Sequence, residues 1–169
     1  MNNFIINSEI IRTLVIQNLQ DMSAPNVFLL DKRTESLRIK FSEIDVSDDM
    51  KVFQYARQGL KPGLFYDFAE AINISNKSLA DLINISSRTI SNYKEQKKLL
   101  EPVYGEHLLK LIGLYKKGVE LFGTVDEFSY WLNKPFWNSK ERPMDWLTTP
   151  GGVDLVADEL VKMAYGDAV

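Results

Sequence analysis

The stretch SLADLINISSRTISNYKE, residues 78–95, decides the fold of this chain. It contains two short amphipathic segments joined by a polar turn, which is the layout of a helix-turn-helix unit. Ala80 supplies the small residue that the helix crossing needs, and Asn84 tolerates the left-handed geometry expected at the turn. The apolar residues expected in the shared core are Leu79, Ile83, Ile85 and Ile90. The alternative is a pair of packed helices with an ordinary polar outer face.

The second helix of this unit, which Ser86 or Ser87 can cap, has a polar outer face. Short hydroxyls, an amide and cations are the groups with which a helix in the major groove contacts bases and phosphates. Two lysines follow the helix, where they can meet backbone phosphates. The predicted DNA-binding residues are Ser78, Ser87, Arg88, Thr89, Ser91, Asn92, Lys94, Lys97 and Lys98.

Charge is unevenly distributed along the 169 residues, whose formal net charge is −3. Residues 76–117 carry eight basic and four acidic side chains, whereas residues 118–169 carry four basic and nine acidic ones. The overall acidity argues against a protein that coats nucleic acid, but a local basic patch remains compatible with it. A basic middle and an acidic C-terminal part suggest two separate jobs, with an anionic partner for the first.

The rest of the chain is also expected to be mainly helical. A helix is predicted over residues 9–19, and a short β-hairpin is predicted from NVFLL and LRIKF, residues 26–30 and 37–41, because the second run alternates strictly. Predicted helix starts lie at Ser47, at Thr124 with Glu127, and at Pro143 and Pro150, and predicted helix ends lie at Gly59, Gly123 and Gly166.

Residues from Ala56 onward resemble a known family. ARQGLKPGLFYDFAEAINISNKSLADLINISSRTISNYKEQKKL resembles the Xre-type antitoxins that accompany RES-domain toxins, and LFGTVDEFSYWLNKP with RPMDWLTTPGGVDLVADELVKMAYG resembles the toxin-binding domain of the MbcA/ParS/Xre antitoxin family. The matching C-terminal positions are Phe122, Gly123, Trp131, Leu132, Pro135, Pro143, Asp145, Leu147, Thr149, Gly151, Leu160, Tyr165 and Gly166. The family usually has glycines where Asn138 and Ser139 stand, and residues 1–55 are not covered.

The resemblance implies three parts: an N-terminal extension over 1–55, an Xre/Cro-like helix-turn-helix domain over 56–116, and a small helical domain for toxin binding and dimerisation over 117–169. It implies promoter binding, homodimerisation, and neutralisation of an NAD-consuming RES toxin whose active site the C-terminal end blocks. The predicted toxin-binding residues are Phe136, Trp137, Lys162, Tyr165, Gly166, Asp167, Ala168 and Val169. Trp131 and Trp146 are expected in the core, because aromatic residues at helical spacing usually lie there.

An enzyme is not expected, and no catalytic residue, metal ligand or cofactor is predicted. The chain has no cysteine and one histidine, His107, which is expected to be a surface or half-buried structural residue. GLKPGLF lacks the lysine and hydroxyl of a phosphate-binding loop. Without cysteines, signal peptide or membrane-length apolar run, the sequence favours the cytoplasm. The alternatives are a stand-alone helix-turn-helix repressor, or an adaptor with no use for its DNA-binding face.

Overall fold

The computed structural model describes residues 31–136 and 140–166. These residues form helices and no strand, which confirms the predicted mainly α fold. The helices are α1 (Lys32–Lys40), α2 (Asp49–Gln58), α3 (Gly63–Ala71), α4 (Asn76–Leu82), α5 (Ser87–Glu95), α6 (Pro102–Phe122), α7 (Val125–Leu132), α8 (Pro143–Trp146) and α9 (Pro150–Tyr165). No helix among them is both long and apolar enough to cross a membrane.

Most of the predicted helix boundaries agree with the structure. The Thr124 hydroxyl accepts a hydrogen bond from the backbone N–H of Glu127 and begins α7, and Pro143 and Pro150 begin α8 and α9. Glycines with positive φ end three helices, at Gly59, Gly123 and Gly166. The start of α2 lies one residue after the predicted Ser47, because the Asp48 carboxylate accepts from the backbone N–H of Lys51.

The predicted β-hairpin is wrong in its second arm, because residues 32–40 form α1. The Asp31 side chain caps this helix by accepting from the backbone N–H groups of Arg33 and Thr34. Leu37 and Phe41 are fully buried, whereas Ile39 is 66% exposed, so burial follows a spacing of four and not the alternation of a strand. The first arm, residues 26–30, and the predicted helix over 9–19 lie outside the described residues.

Helix α6 is the central element of the described fold. It packs against α1, α2, α7 and α9, and its buried residues lie on nearly all of its sides. The buried Tyr115 ring meets the Phe68 and Phe128 rings edge-on, with centroids 5.5 and 5.0 Å away. Gly118 lies against the Phe128 ring so closely that a Cβ atom there would come within 2.4 Å of it. The helix therefore carries the packing of both ends of the molecule.

The larger hydrophobic cluster extends from Leu37 to Leu160 and includes buried residues of α1, α3 to α7 and α9, and residues of α8 pack against it. A smaller cluster joins Val52 and Ala56 of α2 to Leu109 of α6. The predicted boundary after residue 116 falls inside α6, so one helix belongs to both predicted parts. The division into 1–55, 56–116 and 117–169 stays a prediction.

Candidate nucleic-acid interface

Helices α4 and α5 form the predicted helix-turn-helix unit. Asn84 occupies the turn with φ 57°, which confirms the left-handed backbone expected there. Ala80 is fully buried, and its carbonyl accepts from the backbone N–H of Ile85 at 3.0 Å. The predicted core residues Leu79, Ile83, Ile85 and Ile90 are buried as well. The turn geometry and the buried residues of this unit therefore agree with the prediction from the sequence.

Hydroxyl caps fix where the two helices begin. Ser75 accepts from the backbone N–H of Ser78, and Ser86 accepts from that of Thr89, both at 3.0 Å. The side-chain hydroxyls within each pair are also hydrogen-bonded, at 2.8 Å for Ser75 with Ser78 and 2.7 Å for Ser86 with Thr89. Ser78 and Thr89 thus support the first turns of α4 and α5, and of these two only Ser78 is exposed.

The outer face of α5 is open to solvent. Ile90 and the half-buried Tyr93 hold the helix to the core, and the side chains on the opposite face project outward. The exposed residues of the predicted DNA-binding set are Ser78, Ser87, Arg88, Ser91, Asn92, Lys94, Lys97 and Lys98. Within the described part of the chain, the cations of this set form no ion pair. A surface of hydroxyls, one amide and uncompensated cations suits contact with a nucleic acid.

The two ends of this cationic surface have defined geometry. The Lys94 ammonium lies 4.4 Å from the centroid of the half-buried Tyr66 ring of α3. Lys97 adopts φ 53° just after α5, and the backbone N–H of Lys98 donates to the Tyr93 carbonyl at 2.9 Å. The chain therefore turns sharply at Lys97 and places two exposed lysines beside the end of the helix.

Two lysines of the basic middle segment have structural partners instead. Lys110 forms an ion pair with Asp154 of α9 at 2.5 Å, and its side chain is only 13% exposed. Lys116 donates to the carbonyls of Phe41 and Ile44, at 3.1 and 3.0 Å, just after the end of α1. The charge count of residues 76–117 therefore overstates the number of cations available to a nucleic acid, because the ammonium groups of both lysines have partners within the fold.

The described residues of the predicted toxin-binding set differ in their exposure and in their contacts. Phe136 is half-buried, with its ring centroid 4.7 Å from that of Trp146. Lys162 pairs with Glu159 at 2.9 Å, and this hydrogen bond raises the pKa of the lysine. Tyr165 is 82% exposed at the end of α9, and Gly166 follows in left-handed geometry. Trp137, Asp167, Ala168 and Val169 lie outside the described residues.

The two tryptophans expected in the core are both partly buried against it. The Trp131 ring is stacked on the Phe128 ring, with centroids 5.9 Å apart. The Trp146 indole N–H donates to Glu141 at 3.1 Å, so one edge of its ring faces a polar group.

The segment before α9 contacts both the helix-turn-helix unit and α6, and sequence reasoning missed these contacts. The Asn84 side-chain amide donates to the Thr148 carbonyl at 2.8 Å, and the His107 Nε2 lies 2.9 Å from the Leu147 carbonyl. A carbonyl only accepts, so Nε2 of His107 carries the proton. His107 is 2% exposed, and this burial lowers its pKa; the residue is thus more buried than expected. No local pattern marks such contacts, because they join residues 40 and 64 positions apart.

Among the residues that the structure describes, no group of three or more histidines and carboxylates is arranged to hold a metal ion. The candidate site is a surface whose exposed hydroxyls, amide and cations can bind and orient a polyanion through hydrogen bonds and charge.

Comparison with known proteins agrees with this geometry. Residues 54–113, just over a third of the chain, match the family model of the antitoxin Xre-like helix-turn-helix domain. The matched range extends from within α2 to the middle of α6 and contains the whole of α4 and α5. No curated protein matches the chain significantly. The matched domain supports an Xre-type antitoxin, and more generally a DNA-binding regulator.

Proposed function

We propose that this chain is the antitoxin of a type II toxin–antitoxin system that acts in the cytoplasm. It binds the promoter of its own operon as a homodimer and neutralises a RES-domain, NAD-consuming toxin. The observation that carries the proposal is the match of residues 54–113 to an antitoxin helix-turn-helix domain, together with an α5 face that no described residue covers. The alternative is a stand-alone helix-turn-helix repressor without a toxin partner.

The DNA-binding half of the proposal rests on α5. Arg88 and Asn92 lie four residues apart on its exposed face, so both can reach base edges in one groove. A single short helix reads few base pairs, and a two-fold dimer can read paired half-sites instead. We place the dimer contact in the C-terminal part, residues 117–169, because the α5 face must stay free for DNA.

The toxin-binding half rests on α9 and the residues after it. Leu155, Val161 and Tyr165 are exposed apolar side chains on α9, at 56%, 43% and 82%. A partner that covers them removes apolar surface from water, and an aromatic anchor such as Tyr165 often supplies much of the binding energy of an interface. Residues 166–169 come next in the sequence after Tyr165, so a short tail of residues 165–169 can enter a neighbouring active-site cleft and block it without chemistry.

The deciding experiment for the toxin half is co-expression with the gene beside its own. Copurification of the neighbour's product supports the antitoxin, as does NAD loss when that product is expressed alone and its prevention by this chain. Deletion of residues 165–169 should weaken this protection while leaving DNA binding intact. If nothing copurifies and NAD is unaffected, the stand-alone repressor becomes the better account.

The deciding experiment for the DNA half uses a duplex that covers the region upstream of the chain's own gene. Replacement of Arg88 and Asn92 by alanine should abolish specific binding to this duplex, because each side chain that reads a base edge supplies about 1–3 kcal/mol of binding free energy. Arg38→Ala is the matched control, because Arg38 is an exposed arginine of α1 outside the helix-turn-helix unit. Unchanged binding of the Arg88 and Asn92 variants at the same salt concentration would rule out α5 as the recognition helix.

A further inference from the structure

The turn of the helix-turn-helix unit is tied to the C-terminal part of the molecule by one side chain. Asn84 has φ 57°, a conformation that glycine and asparagine both tolerate. Glycine would satisfy the backbone alone. The asparagine adds an amide, whose Nδ2 donates to the Thr148 carbonyl at 2.8 Å across 64 residues of sequence. The residue type at this turn therefore has a second use beyond its backbone.

The acceptor of this bond is held in place from both sides. On one side, Leu147 is fully buried and its carbonyl meets the His107 ring at 2.9 Å. On the other side, the Thr149 hydroxyl accepts from the backbone N–H of Gly152 at 3.0 Å and caps α9. A Cβ atom at Gly152 would come within 1.8 Å of the Trp146 carbonyl oxygen, so the chain folds tightly back on itself here. Thr148 thus offers Asn84 a fixed anchor point.

The Asn84 turn directly precedes α5. Ile85 is buried and Ser86 caps the helix, so the position of Asn84 decides where the first turn of α5 begins. The first turn carries Ser87 and Arg88, two of the predicted DNA contacts. A shift of the turn relative to α9 would therefore move the side chains that enter the groove.

We propose that Asn84 is a positioning residue for DNA recognition, which fixes the start of α5 to the Thr148 carbonyl at the entrance of the C-terminal helix. The inference rests on the proposed function, since it assumes that α5 reads DNA. It adds that the C-terminal part contributes to DNA binding without touching DNA.

The chain contains a matched control for the test. Asn73, between α3 and α4, also has positive φ, at 55°, and is exposed, but its side chain forms no hydrogen bond with another described residue. Asn73→Gly and Asn84→Gly are thus the same change in the same backbone conformation. Only Asn84→Gly removes a side-chain hydrogen bond, the one to the Thr148 carbonyl.

The experiment measures three quantities on the full chain: affinity for the upstream duplex, affinity for a scrambled duplex at the same salt concentration, and amide hydrogen exchange over α5. For Asn84→Gly we expect affinity for the upstream duplex to fall roughly 3- to 10-fold, because the start of α5 must then be ordered on binding without the contribution of one hydrogen bond. Affinity for the scrambled duplex should stay unchanged, because the lysines and the arginine that meet phosphates are all retained. Exchange in the first turn of α5 should become faster, and Asn73→Gly should change none of the three.

Each other outcome has a defined meaning. If the wild-type chain binds both duplexes equally, the DNA half of the proposed function fails and the inference falls with it. If the wild-type chain is specific and Asn84→Gly binds like it, the inference alone is overturned. Equal weakening on both duplexes, or a loss as large for Asn73→Gly, would also overturn it, because either result points to general destabilisation and not to positioning.

Discussion

The ammonium of Lys94 lies 4.4 Å from the centroid of the Tyr66 ring, so the last cation of α5 rests on an aromatic side chain of α3. This contact joins the candidate DNA-binding helix to a helix that belongs to the buried core. Replacing Tyr66 with leucine and Lys94 with methionine in a double-mutant cycle should give a coupling free energy of about 0.5–1 kcal/mol in urea unfolding, as for other exposed cation–π pairs.

Tyr66→Phe is the control for this pair, because phenylalanine keeps the ring face and loses only the hydroxyl. The coupling free energy between Lys94 and the ring at position 66 should be about the same in the Tyr66→Phe variant as in the wild type. A coupling free energy near zero in the cycle with Tyr66→Leu would mean that the Tyr66 ring does not stabilise the Lys94 ammonium.

His107 should make the stability of the fold depend on pH. Burial lowers its pKa below the ordinary value of 6.5, so the unfolded chain takes up a proton at a pH where the folded chain does not. The free energy of unfolding should therefore fall as the pH drops below about 6.5, and the loss should end once the pH passes the lowered pKa of the folded state. Urea unfolding between about pH 7.5 and pH 5.5 measures this loss.

His107→Gln isolates the contribution of this side chain, because glutamine can still donate to the Leu147 carbonyl but does not titrate. Subtracting the pH dependence of the variant from that of the wild type removes the contribution of the carboxylates. A difference of zero would show that the folded and unfolded chains protonate His107 alike.

Thr34 should be sensitive to loss of its hydroxyl. It is 5% exposed, its Oγ1 accepts from the backbone N–H of Val125 at 2.9 Å, and the same hydroxyl donates to Asp31 at 2.6 Å. Thr34→Val leaves the buried N–H group of Val125 without an acceptor, which should cost about 1–3 kcal/mol in the free energy of unfolding.

Thr34→Ser keeps the hydroxyl and loses one methyl group, so it should be less destabilising than valine in the same urea titration. If Thr34→Ser has a lower free energy of unfolding than Thr34→Val, the methyl group contributes more to stability than the hydrogen bonds do.

Two glycine-to-alanine changes should have opposite effects. A Cβ atom at Gly118 would lie 2.4 Å from the Phe128 ring, so Gly118→Ala should destabilise the fold by about 1–3 kcal/mol through overpacking. Gly151, in the first turn of α9, has no atom within 4 Å of such a Cβ. Gly151→Ala should therefore stabilise by up to about 1 kcal/mol by restricting the unfolded chain. Thermal unfolding of both variants tests the pair, and equal shifts in Tm would contradict it.

The features that the sequence predicted correctly are local. Thr124, Pro150 and Gly166 act on backbone groups within a few residues, and the helix boundaries they predict agree with the structure. The helix-turn-helix stretch is also local, since Ala80, Asn84 and Ile90 serve one turn and its two helices. Short-range chemistry of this kind can be inferred without knowing what packs against it.

The features that sequence reasoning missed depend on distant partners. Alternation at Leu37, Ile39 and Phe41 predicted a strand, but the Asp31 cap and the core favour a helix that buries the first and last of the three. Lys110 and Lys116 looked like cations for a polyanion until the fold placed Asp154 and the end of α1 beside them. The role of each side chain was thus decided by an element far away in the sequence.

Two candidate surfaces, the exposed face of α5 and the exposed apolar face of α9, depend on the integrity of helix α6. Its N-terminal half lies in the range matched by the antitoxin domain, and its C-terminal half carries the packing of α7, so neither half can unravel without exposing the core of the other. A protease that opens α6 would remove the α5 face and the α9 face in one event. Proteolysis of α6 would therefore end the proposed DNA binding and the proposed toxin binding together.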